Sequence, residues 1–234
     1  MNTCVEQAAR VIQDAQRVEV FTGAGMSAES GLDTFRDATT GIWSKVDPQA
    51  MASIGAWAKD PEPMWRWYLH RRDLALRAQP HAGHRAVAAS AKTAVTTQNI
   101  DDLHERAGSG TVTHLHGSLF EFRCSICARP WRGEVHPETI PECPLCGNLI
   151  RPGVVWFGEA LPHREWEEAE QRMSTADAVI IVGTSGVVQP AASLPLVAFD
   201  LGTPVLEVSP VATELSRYSR LIQGTAEKVL PALL

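Results

Sequence analysis

Five short β-rich runs place the strongest constraint on how this 234-residue chain can fold. "VEVFT", "AVTT", "VTHL", "AVIIV" and "PVLEV" are close to continuously apolar, and each runs into a polar or glycine-containing loop: "GAG", "QNID", "HGS", "GTS" and "SP". Helical patterns separate most of them. Strands that are apolar on both faces and alternate with helices predict a parallel sheet covered on both sides. In such a sheet all five loops gather beyond the carboxyl ends of the strands, where ligands bind.

Two stretches interrupt the alternation. Residues 117 to 152 are dense in cysteine, proline and arginine with little periodicity, which marks an inserted module. Residues 33 to 80 are rich in tryptophan at helical spacing and hold no convincing strand, which predicts a helical cover beside the sheet. The expected fold is therefore α/β, with residues 1–32, 81–117 and 153–234 as a Rossmann-like core. The insert 33–80 and the module 118–152 would make a small domain.

The module holds four of the five cysteines. Cys124, Cys127, Cys143 and Cys146 form C-x2-C-x15-C-x2-C, in which each pair presents two thiolates to one tetrahedral ion. Four thiolates fill the coordination sphere of Zn2+, so one structural zinc per chain is expected, with no open position for chemistry. The alternatives are two disulfides or free thiols, and the disulfides conflict with the absence of a secretory signal or an apolar membrane span. That absence predicts a cytoplasmic, reducing setting and no membrane partner. Cys4 reads as a small apolar residue on the first helix. Arg123, Arg129, Arg132 and Arg151 lie in or beside the module, but a net charge of -6 and few stacking aromatics argue against a specific nucleic-acid partner.

The loops carry the chemistry. Gly23 and Gly25 follow the first strand and let backbone N–H groups approach a pyrophosphate, with Ser27 and Ala28 next. Phe35 and Arg36 read either as a ring and a cation near the phosphates or as a core residue and a surface charge. Gln98, Asn99 and Asp101 offer two amides and a carboxylate to a carboxamide or to ribose hydroxyls. His116, at another strand end before a glycine, titrates near neutral pH and suits a general base. A lone histidine would more often be structural, but His116 has this company.

Taken together, "GAGMSAESG" with "FR", "TQNIDDLHERAG", "HLHGS", the four cysteines, "RPGVVWFGE" and "GTSGVVQPAA" resemble the sirtuins, NAD-dependent protein-lysine deacylases. The resemblance spans nearly the whole chain. It implies that Gly23, Ala24, Gly25, Phe35 and Arg36 line the NAD phosphates and nicotinamide ribose, that Gln98 meets that ribose, and that Asn99, Ile100 and Asp101 form the nicotinamide pocket. Gly183, Thr184 and Ser185 would take the adenosine side, with Ser209 near the adenine ribose. His116 would be the general base, with Asn99 the other catalytic residue. Gly158 and Glu159 on one side, and Gly186 and Val187 on the other, would pair with the substrate peptide as an added strand. Asp33 stands where the family usually has proline, and Ser209 where it commonly has asparagine.

The resemblance also implies a reaction. The acyl-lysine oxygen attacks the nicotinamide ribose, nicotinamide leaves, and His116 then deprotonates the ribose diol, giving free lysine and O-acyl-ADP-ribose. Mono-ADP-ribosyl transfer in the same cleft, and a non-enzymatic NAD- or zinc-binding module, are the alternatives.

One helix adds a preference. "PMWRWYLHRRDLAL" holds Tyr68, one of two tyrosines, with Arg71 and Arg72 at i+3 and i+4. Spacing cannot choose between the arginines. The class III members of the family carry Tyr-x-x-Arg here, at the floor of the acyl pocket, which matches Tyr68 and Arg71. A succinyl or malonyl group ends in a carboxylate that must not be buried unpaired, so acidic acyl groups are expected as substrates besides acetyl.

Overall fold

A computed structural model of the chain describes residues 3–32 and 51–234. From the amino end, α1 (Thr3–Asp14) leads into β1 (Val18–Thr22), and beyond residue 50 come α2 (Ile54–Lys59), α3 (Pro61–Arg77) and α4 (Ala82–Ala89). Next are β2 (Thr93–Thr97), α5 (Leu103–Ala107), β3 (Val112–His114), β4 (Gly117–Cys124), β5 (Pro130–Trp131) and β6 (Ile150–Val154). The chain ends through α6 (His163–Thr175), β7 (Ala178–Val182), α7 (Leu194–Asp200), β8 (Val205–Ser209), β9 (Arg220–Gln223) and α8 (Ala226–Leu233).

Six strands form a parallel sheet in the order β3-β2-β1-β7-β8-β9. The alternation of side chains explains why it needs helices on both faces. Val18, Val20, Ala178, Ile180 and Val182 pack with Ile12 of α1, Val87 of α4 and Leu230 of α8. Their neighbours Phe21, Val179 and Ile181 point the other way, onto Met173 of α6 and Ala198 of α7. Glu19 breaks this apolar pattern. Burial pushes its carboxyl up to about 7, against the opposing pull of the Thr96 hydroxyl and of Arg172, whose Nε lies 3.3 Å away.

The sixth strand, β9, goes beyond the five apolar runs. It lies at the sheet edge beside β8, and in "RLIQ" Ile222 alone is fully buried. An edge strand paired on one side needs no continuous apolar run, so its sequence carries little strand signal.

A second core lies beside the sheet. Met64, Trp65, Tyr68 and Leu69 of α3 are spaced along one helical face and pack against Leu119, Phe122, Ile150 and Trp156. Asp60 and Pro61 open this helix, proline being tolerated in the first turn, where N–H groups lack helical partners. The cysteine-rich stretch contributes β4, β5 and β6 as an antiparallel sheet in the order β5-β4-β6. A register shift between Ser118 and Phe122 breaks the period of two, which hides these strands in the sequence.

Candidate active site

The strand order reverses at β1, which pairs with β2 on one side and β7 on the other. A crevice for ligands opens at such a switch point. Here the loops after β1 and β7 close backbone against backbone: the Gly23 amide donates to Val182 O at 2.9 Å and the Gly25 amide to Gly183 O at 2.8 Å. A Cβ at Gly25 would lie 2.7 Å from Gly183 Cα, and one at Gly183, where φ is +59°, 2.4 Å from the Gly25 carbonyl carbon. Glycine is required at both places, and Ala24 follows Gly23 in a short 3-10 turn.

The loop after β2 brings its polar groups to the same edge. Gln98 Nε2 donates to Thr184 Oγ1 at 2.9 Å, tying this loop to the one after β7. Asn99 Nδ2 donates to Ser27 Oγ at 3.0 Å, and Ser27 Oγ donates to Asp101 Oδ2 at 2.9 Å. All three residues are buried. Burial raises the Asp101 pKa, opposed by the Leu103 amide and the Ser27 hydroxyl. Ile100 packs against the second core, so this loop bridges the two cores. Glycine backbone, hydroxyls and two amides as donors, with a carboxylate as acceptor, form a polar set that fits a dinucleotide's phosphates, riboses and carboxamide.

Two histidines face this loop, His114 at the end of β3 and His116 in the turn that follows it. His116 Nδ1 sits 2.9 Å from Gln98 O. A carbonyl only accepts, so Nδ1 carries the proton and the neutral ring keeps its Nε2 lone pair as a base. Burial lowers the His116 pKa, and the Gln98 carbonyl only partly opposes this. His114 behaves oppositely. Burial would lower it, but Glu105 Oε1 at 2.7 Å and Asn99 O at 2.9 Å outweigh that and raise its pKa. Ser27, the link between Asn99 and Asp101, and His114, the fastener of the loop, were not singled out as site residues. The available signals were a hydroxyl just after the glycine turn and the i, i+2 histidine pair.

Tyr68 is buried in the second core, its ring edge-on to Trp67 at 4.6 Å and tilted against Trp156 at 6.0 Å. The two arginines behind it diverge: the Arg71 guanidinium lies over Trp67 at 4.8 Å, while that of Arg72 faces Phe122 at 5.9 Å. Burial pushes the Tyr68 hydroxyl up to about 12, with Arg71 the largest opposing influence. The phenol is therefore a protonated donor at neutral pH.

Gly158, at φ +90°, and Glu159 follow a stretch whose Phe157 pairs with Ser53 in a parallel bridge. Gly186, at φ +74°, precedes the exposed Val187. Ser185 is half-buried beside Thr184, and Ser209 is buried at the end of β8, where its carbonyl accepts from the Gly224 amide. Asp33, Phe35 and Arg36 lie outside the described residues.

The four cysteine sulfurs all lie within 4.8 Å of one another. Cys124 and Cys146 are 3.4 Å apart, and Cys127 is 3.7 Å from both Cys143 and Cys146. These are too long for disulfides, whose S–S bond is about 2.05 Å. They fit a tetrahedron with metal–sulfur bonds of about 2.3 Å, whose edges come to about 3.8 Å. Cys4 lies apart on α1, half-buried against the first core.

A sequence profile described as the Sir2 family matches residues 23–190. "NAD-dependent protein deacylase 2" of Corynebacterium efficiens is 59% identical, over 98% of this chain and 96% of that protein. A solved Sir2 homologue in complex with NAD is 42% identical, with a TM-score of 0.91 over 97% of this chain and 91% of that one. Sir2Af2 bound to a myristoylated histone peptide is 33% identical, with a TM-score of 0.81 over 100% of this chain and 95% of that one.

Proposed function

Since the chain belongs to the Sir2 family and is an NAD-dependent protein deacylase, we propose that it removes succinyl and malonyl groups, as well as acetyl, from protein lysines in the cytoplasm. The products are free lysine, nicotinamide and O-acyl-ADP-ribose. The observation that carries the acidic preference is the pairing on α3 of a buried, protonated Tyr68 with the Arg71 guanidinium over Trp67. A guanidinium fork and a phenol hydroxyl are the donors a terminal carboxylate needs in an aromatic surround. Hydrogen bonds to a charged partner contribute roughly 1.5 to 3 kcal/mol, which corresponds to about a 10- to 150-fold preference.

The test compares one peptide bearing acetyl, succinyl, malonyl or glutaryl lysine, each followed to its product by mass spectrometry. Arg71→Met is expected to lower kcat/KM for the succinyl peptide about 10- to 150-fold, the range above, and far more than for the acetyl peptide. Equal losses would sink the assignment, and ADP-ribosylated protein in place of free lysine would favour transferase chemistry.

NAD, when bound, supplies the electrophile, a ribose carbon that exchanges nicotinamide for the acyl oxygen. The chain's own residues orient and deprotonate. An amide oxygen is a weak nucleophile, so holding it in line matters, and such positioning supplies about 7 to 11 kcal/mol in well-oriented systems. Asn99, Ser27 and Asp101 form one hydrogen-bonded unit for the nicotinamide carboxamide. His116 Nε2 takes the proton from a ribose hydroxyl, its Nδ1–H held by Gln98 O. The base must be neutral, and burial moves its pKa below the ordinary 6.5. The acid limb of kcat/KM is therefore expected to have its midpoint below pH 6.5, since that profile reports the free enzyme. A midpoint above 6.5 in a pH–rate series would contradict His116 as the base.

The cysteine cluster is read as one structural zinc, supported by its tetrahedral sulfur spacing and all-thiolate donors.

A further inference from the structure

We infer that the indole N–H of Trp156 is a further determinant of acyl specificity, a third donor beside Tyr68 and Arg71 that an acidic acyl terminus completes; this rests on the acidic-acyl reading above. Trp156 is 2% exposed, and its Nε1 is buried with no hydrogen-bond partner among the described residues. Buried indole N–H groups ordinarily find an acceptor, so one left open beside the Tyr68 ring points to a ligand. Its ring centroid is 6.0 Å from that of Tyr68 and 5.2 Å from that of Trp57. The indole is also close enough to the Tyr68 hydroxyl to favour its ionised form, without closing a hydrogen bond of ordinary geometry.

The surroundings hold this ring in place. The Arg151 guanidinium lies 3.3 Å over it, and the Arg151 side chain is 3% exposed. Arg151 Nη1 and Nη2 fork onto Glu159 Oε1 and Oε2 at 2.5 and 2.9 Å, and Nη2 also donates to Val154 O at 2.7 Å. Glu159 Oε2 accepts from the Trp156 backbone amide at 2.8 Å. One ion pair thus fixes both the ring and the backbone of Trp156. Because both terminal nitrogens of Arg151 are committed to Glu159 and Val154 O, that arginine is not the acyl counter-charge; it is a positioning residue. An acetyl methyl cannot accept the indole N–H, whereas a carboxylate has two oxygens to share among three donors.

The test measures kcat/KM for one peptide carrying either succinyl or acetyl lysine, in three proteins. These are the wild type, Trp156→Phe, and a protein with β-(3-benzothienyl)alanine at position 156, which keeps the bicyclic ring and replaces N–H by sulfur. The succinyl-to-acetyl ratio is expected to fall about 10-fold in both variants, as for loss of one hydrogen bond to a charged group. A purely structural role would move both substrates together and leave the ratio fixed. An unchanged ratio in the benzothienyl protein, which preserves the packing even if Trp156→Phe does not fold, overturns this inference while leaving the acidic preference standing. A wild-type ratio near one overturns the acidic preference and this inference with it.

Discussion

His116→Ala is expected to abolish nearly all deacylation while NAD still binds. General-base catalysis contributes about 100- to 10,000-fold, and kcat is expected to fall by at least that range. His114 is the nearest rival by sequence, but its Nδ1 and Nε2 already face Asn99 O and Glu105 Oε1. Both of its ring nitrogens are engaged with acceptors, so it has no lone pair to offer. Among the described residues His116 has one nitrogen engaged, Nδ1 with Gln98 O, and no partner on Nε2. Alanine also removes the bond that ties the β3 end to Gln98, but Gln98 keeps its contacts to Thr22 and Thr184, so the cofactor loops should hold. Calorimetric titration with NAD, beside single-turnover assays on an acyl peptide, checks both halves. Near-normal turnover would remove His116 as the base.

Stripping the metal should have an effect of similar size by a different route. Structural zinc binds cysteine sites with an apparent free energy of about 10 to 16 kcal/mol, comparable to or larger than the roughly 5 to 15 kcal/mol that keeps a whole domain folded. Cys124 and Cys143 are buried within the second core together with Trp65, Phe122 and Ile150. Opening the cluster therefore exposes the core that carries Tyr68 and Trp156. Chelation is expected to release one zinc per chain, with loss of near-ultraviolet circular dichroism and of deacylase activity together. Full activity in protein shown by elemental analysis to lack zinc would contradict a structural role.

Much of the site was legible because its signals are local. Gly23 and Gly25 stand directly after an apolar strand, and four cysteines in two C-x2-C pairs need only a few residues of chain to declare a metal site. The antiparallel strands β4 to β6 were not legible, because a register shift removes the alternation by which a strand is recognised. Edge strand β9 was hidden by its polar ends. The role of Ser27 is not legible for a third reason: its partner Asp101 is 74 residues away, and a hydroxyl after a turn has many ordinary uses.

The sequence alone determined the alternating parallel sheet, the glycine loops at its carboxyl edge, the four-cysteine cluster and the Tyr68–arginine pairing on one helix. Each follows from periodicity or spacing within a few residues, where covalent geometry sets what can meet. Spacing leaves the i+3 and i+4 neighbours of Tyr68 equivalent, and the choice of Arg71 rests on the family resemblance; only the tertiary structure decided that the Arg71 guanidinium lies over Trp67 and that of Arg72 over Phe122. It also decided the tautomer of His116 and the clamp of Arg151 and Glu159 on Trp156. The tautomer and the clamp, like the divergence of the two guanidiniums, depend on directions of side chains in three dimensions, which packing between separate elements sets and no local pattern encodes.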